Sequence, residues 1–302
     1  MIERHEITSR EQWLKLRLQD VTASDIAALF GNSHPWRTTR GLWEEKVNGE
    51  IEDFDNAVLR RGRLLEDVVA VAAREAHPDW IIEKQSLYFR DPGDRIGATP
   101  DFLVTIPGKG LGAFQAKTVA PSEFRRRWIE APPIHVVLQT LTEAMLMEKP
   151  FGVVAALIVD PYNLPLVEYF IDRDEQAERK LRSAVRQFWH SVAEKRPPDF
   201  DFERDAALVA SLYPREVQGA TIDLSRDNSF GALLEERDKL ALEIAPLESR
   251  KKAVDVEIKA KIGDHECAMC NGRKVTWKLR KPYVANVGAA RVLHVGKPVD
   301  AK

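Results

Sequence analysis

The chain has 302 residues, is 44% hydrophobic and 30% charged, and carries a net charge of −2. That length and composition suit one large domain, or a core domain with an appendage, and the near-neutral balance requires any nucleic-acid surface to be local. No apolar run reaches the roughly 18–20 residues of a membrane span, the opening MIERHEITSREQW lacks a leader's apolar stretch, and two cysteines three apart make no disulfide framework; a soluble cytoplasmic protein is expected.

In chain order, Thr8 or Ser9 offers an N-cap for a first helix. A second start stands at Thr22-Ala23-Ser24-Asp25, with Ile26, Leu29 and Phe30 following at helical spacing. Residues 39–48 continue helical. Residues 56–76 predict a long helix whose buried stripe is Val58, Leu65, Val68, Val69 and Ala72. The period then changes. Residues 80–89, 96–106 and 111–119 read as strands, with a turn at Pro107-Gly108-Lys109-Gly110. Residues 122–129 form a short helix carrying Arg125, Arg126 and Arg127, and Pro132-Pro133 ends it. Residues 134–147 are helical, 153–159 and 166–171 are strands, and 174–195 is a helix. This order predicts a mixed α/β core with helices on both faces of a sheet.

Pro197-Pro198 closes that core. The expected organisation is a core domain over 1–198, a polar linker over 199–230, and a helical segment with a hairpin and tail over 231–302. Leu233, Leu240, Leu247 and Val254 recur every seven residues, with Ile244 and Ile258 between them. Pro246 should kink or split that helix. Asn271-Gly272 signals a hairpin between residues 266–270 and 274–279, and the tail after Tyr283 is weakly patterned.

Chemistry concentrates in the first half. Glu66 sits in RRGRLLED, Asp101 in ATPDFLV, and Gln115 and Lys117 in GAFQAKTV. Metal-dependent phosphodiester hydrolysis needs two or three oxygen ligands and a lysine beside the attacking water, and this spacing offers them. On a strand, Gln115 and Lys117 face one side and Ala116 the other. The plainer reading is a polar strand face with an Asp101–Lys117 salt bridge. Glu66 is otherwise a solvated helix residue, although Gly62 one turn earlier allows a close backbone approach. Gln139, alone in an apolar helix, is either a core hydrogen-bonder or a site residue. Arg125–Arg127 would hold phosphates beside such a site and would otherwise be a solvated surface. Cys267 and Cys270 resemble half of a zinc knuckle, but four ligands are needed and His265 is the nearest histidine. The histidines form no spaced cluster, and there is no P-loop or GxGxxG.

Taken together, these blocks resemble the YqaJ-like viral recombinase family, which includes the lambda-type phage exonuclease. The resemblance rests on WLKLRLQDVTAS from Trp13 to Ser24, RGRLLE ending at Glu66, ATPD ending at Asp101, and the strand ending in Lys117. The helical tail and the NGRKVTWK hairpin look like the closing elements of many members. The resemblance implies a PD-(D/E)xK restriction-endonuclease-like core and dependence on Mg²⁺, with Mn²⁺ as a substitute. It also implies 5′→3′ digestion of linear duplex DNA ends in phage-type recombination. It implies that Asp101, Glu66, Gln115 and the Ala116 backbone carbonyl hold the metal. Lys117 would activate the water, and Arg17, Ser24 and Gln139 would contact DNA or its 5′ phosphate. A ring-shaped homotrimer and a phage single-strand annealing protein as partner are further implications. Gln115 departs from the pattern, because the family has Glu there. An amide oxygen can ligate Mg²⁺ but brings no charge, so the alternative is a catalytically impaired DNA-binding or assembly protein.

Overall fold

The computed structural model describes residues 1–49, 56–282 and 289–295. Two compact units divide the chain, Met1–Val209 and Ala210–Lys302. Among the described residues no helix is long and apolar enough to cross a membrane.

The first unit is mixed α/β, as the period changes predict. Its main sheet has the order β3-β6-β7-β8-β9, built from β3 (Ile81–Lys84), β6 (Phe102–Ile106), β7 (Gly110–Val119), β8 (Phe151–Ile158) and β9 (Leu166–Asp172). Within this sheet, among the described residues, only β7 and β8 pair in parallel, with Gln115 opposite Val154 and Lys117 opposite Ala156. Parallel neighbours need a crossover; here it carries α4 (Pro121–Arg127) and α5 (Ile134–Leu146). Strand β8 is buried along nearly its whole length, which explains its unbroken apolar run. On one face α3 (Ala57–Ala76) packs Val69, Ala70 and Ala73 against Phe102, Phe114 and Ala116. On the other, α5 packs Leu141, Ala144 and Met145 into a second cluster with α6 (Glu175–Ala193). Gly152 lets α5 come close: a Cβ there would stand 2.3 Å from Thr140 Cγ2.

A smaller sheet, β1-β4-β5-β2, joins β1 (Glu3–Glu6), β4 (Leu87–Asp91), β5 (Ile96–Ala98) and β2 (Val21–Thr22). Beside it lies α1 (Arg10–Gln19), capped by Ser9, whose side chain accepts from the Gln12 N–H. Helix α2 (Thr39–Asn48) is capped by Thr38, which also donates to the buried Asp205 at 2.6 Å.

Several expectations change. The two long strands expected over 80–89 and 96–106 are each split between the two sheets. The second break falls at Thr99-Pro100-Asp101, so Asp101 lies just before β6 rather than within a strand. The helix expected after Ser24 is a 3₁₀ turn at Ile26–Leu29. Along α3 the buried stripe is Val69, Ala70 and Ala73, while Val58 is 73% exposed; the helix meets the sheet through its C-terminal half only. The position of Gly62 is open, with no atom within 4 Å of a Cβ placed there. Residues 206–212, read as irregular, form α7 (Ala206–Leu212).

The second unit is dominated by α8 (Asn228–Ile262), which runs on through Pro246 rather than splitting there. Its heptad residues Leu233, Leu240, Leu247 and Val254 are exposed. Strands β10 (Cys267–Cys270) and β11 (Arg273–Thr276) form the expected hairpin. Asn271 and Gly272 both have positive φ, as the tight turn requires. The part of the tail at 283–288 and 296–302 lies outside the described residues.

Candidate active site

Three elements meet around Asp101. Gln85 donates its N–H to the Asp101 carbonyl, and Trp13 on α1 donates from Nε1 to Thr99 Oγ1 at 3.1 Å. These two bonds hold the loop at the head of β6. Asp101 Oδ2 accepts from Gln115 Nε2 at 2.5 Å and from the Ala116 N–H at 3.0 Å. Strand alternation puts Gln115 and Lys117 on one face of β7, and both meet Gln139 of α5. Lys117 Nζ donates to Gln139 Oε1 at 3.2 Å, and Gln139 Nε2 donates to Gln115 Oε1 at 3.1 Å. Gln139 Nε2 also donates to Glu143 Oε1 at 3.0 Å, one helical turn on.

This chain of bonds has one direction. Lysine has donors and no acceptor, so Lys117 must face the oxygen of Gln139. The amide nitrogen of Gln139 then faces Gln115 and Glu143, and the amide nitrogen of Gln115 faces Asp101. The lysine is thus joined to the amide relay, in place of the direct Asp101–Lys117 salt bridge offered by the plainer sequence reading.

The carboxyls are all displaced upward. Burial raises Asp101, against the pull of Lys117. Glu66 is pushed up to about 7 by burial and by the charge of Asp101. Glu143 is pushed up to about 8 by burial and again by Asp101. Glu66 and Glu143 therefore sense Asp101 from opposite faces of the sheet, one from α3 and one from α5. Glu143 is 1% exposed, and its Oε2 is buried without a hydrogen-bond partner. Among the described residues no three His, Cys, Asp or Glu side chains are gathered into a ready ligand cluster. The donor set is nonetheless hard oxygen, and its carboxyls are raised chiefly by burial, which Lys117 offsets only in part. An orphaned carboxylate oxygen in such a place is what a divalent cation satisfies, so the residues fit Mg²⁺ or Mn²⁺.

Arg17 and Ser24 come together in the structure. Arg17 donates to Ser24 Oγ at 3.4 Å and pairs with Asp25 at 3.1 Å, while stacking over Trp13 with 4.6 Å to the ring centroid. Arg37 also pairs with Asp25, at 3.2 Å, and Lys46 donates to the Arg17 carbonyl. Burial would raise the Asp25 carboxyl, but Arg37, Arg17 and Lys46 outweigh it and hold it well below the ordinary range. Arg126 and Arg127 pair with Glu123 on the surface of α4.

Two features escaped sequence reasoning. Glu143 is one; a lone acid four residues beyond Gln139 in an apolar helix was the available signal. The other is a contact that sequence spacing does not show: His34 and His135, far apart in sequence, have ring centroids 6.0 Å apart, and Trp36 stands edge-on to both. Trp36 is 83% exposed. His34 fixes this turn by accepting at Nδ1 from the Arg37 N–H and contacting the Ser24 carbonyl through Nε2. Burial and then the charges of His34, Lys117 and Arg127 push His135 down to about 4.

Among known proteins, the chain is similar to the crystal structure of an alkaline exonuclease from Laribacter hongkongensis. The identity is 20% and the TM-score 0.50, over 66% of this chain and 100% of that one. The same enzyme in complex with dAMP aligns with 19% identity and a TM-score of 0.48, over 67% of this chain and 99% of that one. A phage-related exonuclease from Haemophilus somnus 129PT aligns with 12% identity and a TM-score of 0.40, covering 63% and 97%. The first of these likenesses concerns the fold. No curated protein matches the chain. The family model described as the YqaJ-like viral recombinase domain matches residues 12–149, a span that holds Arg17, Ser24, Glu66, Asp101, Gln115, Lys117 and Gln139. Residues 12–149 are thus similar to the YqaJ-like viral recombinase domain.

Proposed function

We propose that this protein is a metal-dependent deoxyribonuclease that digests linear duplex DNA from its ends. The observation that carries the reading is the junction of Asp101 and Lys117 through the Gln115–Gln139 relay, with Glu66 in electrostatic reach of both. The alkaline exonuclease named above shares the fold and supports the reaction class. Asp101, Glu66 and the Ala116 carbonyl are the proposed donors for Mg²⁺ or Mn²⁺, and the Gln115 side-chain oxygen joins them only on leaving the Gln139 amide that holds it. When bound, such an ion supplies positive charge for the phosphoryl oxygens and eases loss of a proton from water. Lys117 Nζ holds the attacking water or a phosphate oxygen by donating a hydrogen bond. Arg17 and Ser24 receive the 5′ phosphate, because a guanidinium forks onto phosphate oxygens. The 5′→3′ polarity, a ring-shaped trimer and a single-strand annealing partner belong to the same proposal and come from the family likeness.

A second reading is a DNA-binding or assembly protein that does not cut, favoured by the amide at Gln115. End-labelled linear duplex incubated with and without Mg²⁺ or Mn²⁺ separates the two. Metal-dependent shortening that disappears in Asp101→Ala supports the nuclease; DNA binding with no cleavage under either metal supports the second reading.

A further inference from the structure

Gln115 leaves the strand without the carboxylate that a divalent ion would want beside Asp101. The relay also turns the wrong end of Gln115 toward that position. Its amide nitrogen faces Asp101 and its oxygen is held by Gln139, an orientation set by the donor-only lysine. Reversing the Gln115 amide would place two amide nitrogens against each other, unless Gln139 also turned and gave Lys117 a donor to face. As the site stands, Gln115 anchors Asp101 better than it binds a cation.

A carboxyl does reach this network from another element. Glu143, on α5, accepts from Gln139 Nε2 with one oxygen. Its other oxygen is buried and has no partner, which is costly unless something occupies it. The residue sits in the third turn of α5, where Leu141, Ala144, Met145 and Leu146 are buried as well. The contact of Gly152 with Thr140 presses that helix onto β8, next to the strand that bears Gln115 and Lys117. Burying an acid there has no packing rationale: a leucine would fill the space without a desolvation cost.

We propose that Glu143 supplies from helix α5 the carboxylate that strand β7 lacks at Gln115, and that it is a direct ligand of the divalent metal. Gln139 links the two positions, donating to both Gln115 and Glu143. The inference rests on the nuclease reading above, since it concerns the metal of that same site.

The test is Mn²⁺ binding to the full chain without DNA, measured by calorimetry and by the electron paramagnetic resonance of free Mn²⁺ at one fixed pH. Glu143→Gln is nearly isosteric and keeps an acceptor for Gln139. It should weaken binding by about 10- to 100-fold, the range in which mutations around a metal site act. Adding Gln115→Glu to that variant should restore binding to within about threefold of the parent. Glu143→Asp, which keeps the charge but withdraws it by one carbon, should fall between and serves if Glu143→Gln does not fold. Parent-like binding in Glu143→Gln, or in Glu143→Asp where the amide variant is unfolded, together with lost binding in Asp101→Asn, overturns the role of Glu143 and leaves the nuclease reading standing. Parent-like binding in Asp101→Asn as well removes the metal from this site and overturns both.

Discussion

Gln115 and Asp101 face each other across the β6–β7 junction, with the amide nitrogen of the first 2.5 Å from a carboxylate oxygen of the second. The contact makes Gln115 a partner that favours an ionised Asp101, while burial works the other way. Replacing the amide by a carboxylate would turn an attraction into a repulsion in the metal-free protein and into an added ligand in the metal-bound one.

Gln115→Glu should therefore act in opposite senses. Without metal the melting temperature should fall. With Mg²⁺ present the affinity should rise by roughly tenfold, equivalent to about 1.4 kcal/mol. Thermal melts with and without millimolar Mg²⁺ check this; a variant that binds metal no better than the parent and cuts more slowly shows Gln to be the functional residue.

Asp101→Ala and Lys117→Ala should each reduce cleavage of linear duplex by on the order of 10²-fold or more, the usual effect of removing one group aimed at a transition-state charge. Circular dichroism should show both variants folded, because neither side chain belongs to the apolar clusters on either face of the sheet. Wild-type cleavage by Asp101→Ala would end the assignment.

Arg17 is held by Ser24, Asp25 and the Trp13 ring, so it is positioned before DNA arrives. A 5′-phosphorylated end should be degraded faster than a 5′-hydroxyl end. Arg17→Ala should erase that difference while slowing the hydroxyl substrate less. Equal rates for the two ends in the parent would leave Arg17 a structural ion-pair residue.

The raised carboxyls imply a pH signature. Glu66 and Glu143 lie near 7 and near 8 in the folded chain, against an ordinary glutamate value of 4.5. A folded value above the unfolded one binds protons more tightly in the native state. The contribution to stability is complete below about pH 4.5 and is lost as pH rises through 7 and 8. The metal-free protein should thus lose melting temperature between about pH 4.5 and 8 and level off above that. Glu143→Gln should flatten the upper part of that slope, and Mg²⁺ affinity should rise over the same interval because the ion competes with protons. A metal-free melting temperature that is flat in both proteins would contradict the burial of these acids.

The sequence alone determined the local elements and one half of the site. Period-two alternation puts Gln115 and Lys117 on one face of β7 wherever that strand is placed. Ser9 announces a helix start by offering an oxygen to a free N–H group, and Asn271-Gly272 announces its turn by tolerating positive φ. These features depend on neighbours a few residues away, so a linear reading contains them. The rest was decided by tertiary structure. Whether residues 96–106 run straight depends on which sheet each end joins, and the break at Thr99–Asp101 exists because β5 and β6 belong to different sheets. Val58 is exposed: an apolar stripe shows which face of a helix is greasy, but not how far along its length a sheet reaches. Gln139 was legible as an odd amide, yet its direction came from Lys117, twenty-two residues away. Glu143 became part of the site only when the crossover laid α5 against β7 and β8. Hydrogen-bond direction and the cost of a buried charge are properties of an assembled environment, and no pattern along the chain carries them.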